Sequence, residues 1–229
     1  MLIESGLITR GSGSLGGMTL SHNRAGMYLR SRTTPVNPGS GPQTVVRNAF
    51  SGLSTAWQQV LTKDQRDAWT TYALNVPVTG KLGSPLVLSG QQMYIRCNTP
   101  RIQVGLPRVD DGPTVFAHDS IGLVGIAPAG GVRIVPVTFD DADLWCDEDD
   151  AALLVYVARE QAESINFFKG PYQFAGRVDG DSVTPPTSPD SVTSAFDVTA
   201  DNAIFARAFS SRADGRLSPV QFIGPTLAT

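Results

Sequence analysis

The sequence predicts an α+β, mainly β chain in three parts: an extended N-terminal arm, a small helical module and a C-terminal β-sandwich. Three observations predict it. Residues 1–41 are rich in glycine and show no helical period, apolar residues then recur every three or four positions as far as residue 97, and beyond residue 130 the period shortens to two. With 229 residues, 41% hydrophobic and 17% charged, there is apolar material for one large or two small cores, and length favours two. The expected boundaries are 1–41 for the arm, 42–110 for the helical module, 111–130 for a linker and 131–229 for the sandwich.

The arm holds Gly11, Gly13, Gly16 and Gly17 with Arg10, Arg24, Arg30 and Arg32. Its apolar content is too low for a core of its own, so its order is expected to come from lying on other protein surface. The alternations Met18, Leu20 and Met27, Leu29 suggest short strands suited to edge pairing.

Ser40-Gly41-Pro42-Gln43 then reads as a helix start, followed by Val46, Phe50, Leu53, Trp57, Val60 and Leu61 on one face. Thr62-Lys63-Asp64-Gln65 repeats the cap before Ala68, Trp69, Tyr72 and Ala73, and Pro77 closes that helix. Ser89-Gly90-Gln91-Gln92 opens a third helix through Met93, Tyr94 and Cys97, expected to stop at Asn98 and Pro100. Trp57 and Trp69 are expected in the shared core.

Period-two stretches follow at 132–139, 151–159, 172–178, 192–198, 203–210 and 216–223, with turn residues between them and an additional strand expected near 114–117. Asp214-Gly215 is a hairpin signal. Six or seven short strands in about 100 residues fit an immunoglobulin- or fibronectin-like sandwich, here without the Cys…Trp…Cys framework of antibody domains.

Charge is sorted along the chain. Residues 1–109 hold eleven Lys and Arg against three Asp and Glu, and residues 110–229 hold seven against eighteen, giving +8 and −11. A charged face steers an opposite one over roughly 8 Å in physiological salt, so the halves suit head-to-tail assembly between copies. The expected interface residues are Arg24, Arg30 and Arg32 of the arm and Asp147, Glu148, Asp149 and Asp150 of the acidic run that begins at Asp140. That run also has the oxygen ligands of a calcium loop, but lacks the glycine and terminal Glu of an EF-hand.

Nucleic acid is the rival partner for the basic half, through Arg47, Lys63, Arg66, Arg96, Arg101 and Arg108, but no helix presents a dense basic row. Gly11-Ser12-Gly13-Ser14-Leu15-Gly16 matches a dinucleotide fingerprint only by letter. No helix is predicted after it, and no carboxylate occurs between Glu4 and Asp64. His22 and His118 have neither GxSxG nor HExxH around them, so no enzyme, cofactor, metal or catalytic residue is expected. Cys97 and Cys146, without CxxC spacing, read as buried free thiols. The first ten residues have no basic stretch before an apolar one, and no apolar run approaches about 18 residues, so neither a signal peptide nor a membrane span is expected.

WQQVLTKDQRDAWTTYA at 57–73 and SGQQMYIRCN at 89–98, with GSLGGMTLSHNRAGMYLRSR upstream and the Gln43…Arg47 pair, resemble a family of bacteriophage-encoded proteins. The shared pattern is Trp, then Leu-Thr, then Gln-Arg-x-x-Trp, and later Ser-Gly followed by an aromatic and Asn. The resemblance covers residues 10–110. It implies a virion structural protein made in the host cytoplasm, with no catalytic residues to carry over. The preferred place is head-associated, as a minor capsid, decoration or cement component that is a homo-oligomer within the particle. A neck or tail component is the alternative, and a DNA-binding packaging accessory stands behind it.

Overall fold

The computed structural model describes residues 12–23, 26–79 and 84–228. It is mixed α/β, with three helices and several antiparallel sheets among these residues. The chain divides into two compact units, Met1–Gly41 and Pro42–Thr229. No described helix is long and apolar enough to cross a membrane.

In the first unit, β1 (Gly13–Leu15), β2 (Met18–Asn23) and β3 (Gly26–Ser31) form a sheet in that order. The expected short strands are present but pair with each other, with Leu20 opposite Leu29 and His22 opposite Met27. Gly16 turns β1 into β2 at a φ of +57°, a backbone state that glycine adopts without steric cost. Residues 32–40 carry no regular structure and are exposed.

In the second unit, α1 (Gly41–Gln59) buries Ala49, Leu53 and Ala56, while Val45, Val46 and Phe50 face outward. Its apolar face is therefore only partly used, against the expectation for Val46, Phe50 and Val60. Thr62 caps α2 (Lys63–Asn75) with a reciprocal capping box to Gln65, and Ser89 does the same with Gln92 for α3 (Gly90–Gln103). Gly90 permits the close approach of α3 to α2, because a Cβ there would meet Thr70 Oγ1 at 2.3 Å. Helix α3 runs beyond its predicted stop. Pro100 forfeits one helical hydrogen bond. Asn98 ties the turn down instead, donating to the carbonyls of Tyr94 (3.1 Å) and Val109 (3.0 Å) and accepting from the Val109 amide (2.7 Å).

A short ladder joins β4 (Val78–Thr79) to β5 (Pro85–Leu86). The remaining strands are β6 (Gly125–Ile126), β7 (Ile134–Thr138), β8 (Ala152–Ala158), β9 (Tyr172–Asp179), β10 (Asp190–Thr193), β11 (Ala203–Ser211) and β12 (Gln221–Leu227). They form one sheet in the order β10-β7-β6 and another in the order β12-β11-β8-β9, all antiparallel. Asp214-Gly215 turns the hairpin between β11 and β12, with Gly215 at φ +87° and its amide on the Arg212 carbonyl. This wrap uses residues 212–218, which is why β12 starts later than predicted.

The sheets share a core. Leu153, Val155 and Val157 of β8 meet Val135 and Val137 of β7 and Ala206 and Ala208 of β11. The opposite face of β8, carried by Ala152, Leu154 and Tyr156, joins Phe209 in a cluster with Leu53, Trp69, Tyr72, Met93 and Tyr94 of the helices. Alternate residues of a strand point to opposite faces, so β8 is buried on both. This corrects the expected division at 111–130. The helices cover the outer face of the four-stranded sheet, and the intended linker is structural. It holds buried Val124, Ile126 and Asp119, and its strand is β6 rather than 114–117.

Candidate functional site

The acidic run at 140–150 is a loop whose carboxylates are largely engaged by its own chain. Asp141 accepts from the Ser188 amide at 2.7 Å, and Asp143 accepts from the Gly122 amide at 2.8 and 2.9 Å. Asp149 accepts from the amide and hydroxyl of Ser182 at 2.9 and 3.1 Å. These bonds lace the loop to Gly122 and to residues 181–188, assisted by the Asp181 amide on the Cys146 carbonyl. The carboxylates thus cap backbone donors, and no group of three His, Cys, Asp or Glu among the described residues gathers as a metal site.

Below the loop lies a buried polar node. Arg212 donates to Asp119 at 2.9 Å and, through two nitrogens, to both oxygens of Glu148; Ser210 Oγ donates to the other Asp119 oxygen. Arg101, fully buried at the end of α3, donates to the carbonyls of Pro107 (2.9 Å), Arg212 (2.7 Å) and Asp150 (3.0 Å) and to Ser211 Oγ (3.0 Å). Every donor bond of Arg101 goes to a neutral acceptor, so burial lowers its affinity for the proton. The two arginines together fasten the acidic loop, α3 and the β11–β12 hairpin.

Of the seven expected interface residues, Asp147, Asp149 and Asp150 are exposed on this loop, and Arg30 and Arg32 are exposed on the arm. Arg24 lies outside the described residues. Glu148 pairs with Arg212 of its own chain and keeps a third of its side chain exposed. The hydrogen bonds from Arg212 hold its carboxyl below the usual range. A group whose pKa is depressed by folding stabilises above its unfolded value, about 4.3 for Glu, and that contribution is lost as the pH falls through the folded value. Glu148→Gln is therefore expected to cost about 1–3 kcal/mol near neutral pH and to flatten the acid limb of a stability–pH profile. Asp147→Asn should stay within about 0.5 kcal/mol. Equal effects in urea titrations would show that Glu148 is not a structural partner.

The basic half is similarly rearranged. Arg101 is internal, Arg108 is held by Asp110 in two bonds of 2.6 and 2.7 Å, and Lys63 pairs with Asp67. Ser14 and Leu15 of the glycine motif lie in a strand, not at a helix start. His118 contacts the Pro77 carbonyl at 3.2 Å, while the neighbouring Asp119 is taken by Ser210 and Arg212. Cys97 and Cys146 are buried and unpaired, and burial pushes both thiols up to about 12, so both are protonated at neutral pH.

Sequence reasoning missed the Arg212–Asp119 pair. The only local hint was a charged residue beside an apolar strand run, at each end of a separation of 93 residues. Compared with known proteins, the chain matches no family model, no curated protein and no solved structure.

Proposed function

We propose that this chain is a structural protein of a bacteriophage virion, head-associated as a minor capsid, decoration or cement component, and that it assembles through its arm and its opposed charges. The arm carries this reading. It forms a unit of its own, exposes all of β1 with Leu15 at 86%, and adds Arg30 and Arg32 in the open. A small sheet with this much apolar and cationic surface is suited to cover by a neighbour. The exposed carboxylates of the 140–150 loop supply the opposite sign, and the phage-family resemblance of residues 10–110 agrees. We read the strands from Gly125 to Leu227 as a fibronectin-like sandwich, since in chain order the first, second and fifth share one sheet and the other four share the second. The internal position of Arg101 and the pairing of Arg108 and Lys63 weigh against a DNA-packaging role.

Gold-labelled antibody to the C-terminus should decorate heads of gradient-purified particles. Label at the neck or tail would select that alternative, and particles free of the chain would overturn the reading. Trypsin should cut after Arg30 and Arg32 faster in the free protein than in particles. Equal protection would remove the arm from the assembly contact.

A further inference from the structure

Helix α1 leaves one stripe open to solvent. Arg47, Phe50, Ser54 and Gln58 follow one another at three- and four-residue spacing, so they share a face, and Phe50 on it is 55% exposed. Between this stripe and α3 runs a groove of about 480 Å³, walled by Phe50, Ser54 and Gln58 on one side and by Gln91, Ile95 and Arg96 on the other. Neither helix contains a carboxylate. Arg96 is exposed and takes part in no ion pair among the described residues. Arg108, at a second groove along Val45 and Gly52, is by contrast already held by Asp110. The first groove therefore joins apolar walls to an unmatched cation.

The acidic loop has the reverse composition. Residues 134–158 and 178–206, which include the loop and the segment it is laced to, hold no Lys or Arg. Within the loop the Asp143 amide bonds the Asp140 carbonyl and the Cys146 amide bonds the Asp143 carbonyl, each three residues back, a spacing that returns every third side chain to the same side. Leu144 and Asp147 accordingly stand outward together, Leu144 at 64% exposure, while Trp145 and Cys146 between them are fully buried. Asp141, Asp143 and Asp149 are occupied by backbone amides, and Glu148 by Arg212. Asp147 is in no ion pair among the described residues.

We propose that the groove between α1 and α3 receives the acidic loop of a second copy, with Leu144 set on Phe50 and Ile95 and Asp147 on Arg96. The inference rests on the reading of the chain as an assembling subunit and names the surfaces that its opposed charges bring together. Charge complementarity selects this occupant. A contact of α1 with another α1 would press two cationic faces together, and the arm would bring Arg30 and Arg32 to a face that already carries Arg47 and Arg96, whereas like charges set opposite each other cost binding energy. The loop alone pairs an exposed apolar side chain with a carboxylate that has no partner of its own. Groove and loop are both open in one copy, so the contact joins unlike surfaces and propagates from copy to copy.

Sedimentation velocity on the full chain tests this with a charge exchange. Wild type should associate as concentration rises, and less so in high salt. Arg96→Glu and Asp147→Arg should each weaken association by roughly tenfold or more. An equimolar mixture of the two variants should associate like wild type, because the altered loop of one then meets the altered groove of the other. Leu144→Ser, at an exposed position, should weaken association with an unchanged melting curve, which separates docking from folding. A monomeric wild type, association indifferent to Asp147→Arg, or a mixture no stronger than either variant alone would overturn the proposal. Each of these leaves the particle labelling result intact, whereas unlabelled particles with intact self-association would overturn the virion reading alone.

Discussion

Arg212→Ala is expected to destabilise the protein by about 3–5 kcal/mol, because it leaves the Asp119 carboxylate buried with only the Ser210 hydroxyl for company. Both side chains are almost completely enclosed, at 6% and 4% exposure, so water cannot replace the lost partner without opening the structure. Replacing both, as Arg212→Met with Asp119→Leu, should cost clearly less than the single change, since an ion pair exchanged for apolar groups loses its desolvation penalty along with its attraction. Urea unfolding of wild type, Arg212→Met, Asp119→Leu and the double variant forms the cycle. A loss below about 1 kcal/mol for Arg212→Ala would show that the node is hydrated and does not hold the acidic loop. The effect matters for assembly because Glu148 and the Asp150 carbonyl are tied to the two arginines. Loosening the node should displace the exposed carboxylates that the proposed function needs.

Trp69→Ala is expected to cost a similar amount, about 3–5 kcal/mol. The ring is fully buried, packs edge-on to Tyr72 at 6.0 Å and Tyr94 at 5.6 Å, and donates its Nε1 hydrogen to the Asp110 carbonyl at 2.9 Å. Alanine both opens a cavity and strands that carbonyl. The cluster around Trp69 includes Ala152, Leu154 and Phe209 of the sheet, so helices and strands should melt in one calorimetric transition in wild type and variant alike. Two resolved transitions within residues 42–229 would mean that the helices fold as a module of their own. A variant with an unchanged melting temperature would place the ring outside the core.

Much of the fold was legible in residues that act locally. Thr62 with Gln65 and Ser89 with Gln92 start their helices because a hydroxyl and a side-chain amide three positions apart satisfy two orphan donors without help from elsewhere. The strands near residues 134, 152, 172 and 203 followed from short apolar-rich stretches set between turn residues, and Asp214-Gly215 from the backbone freedom of glycine in a turn. The candidate site was legible only as charge: the sequence by itself determined that the acids would crowd after residue 140. It did not determine which of them remain available. Glu148 has its partner 64 residues away, Arg101 meets Ser211 across 110, and Asp119 meets Arg212 across 93.

The same distance effect hid the second face of β8. Ala-Leu-Leu-Val-Tyr-Val-Ala is apolar at every position, which suits a strand covered on both sides, yet nothing within seven residues says that α2 and α3 supply the second cover. Secondary structure here is decided by bonds that close within a few residues. Burial and the pairing of charges are decided by which distant segments the fold brings together, so the tertiary structure alone buried the two surface-looking arginines Arg101 and Arg212 and set Arg207 against aromatic rings with no ion-pair partner among the described residues.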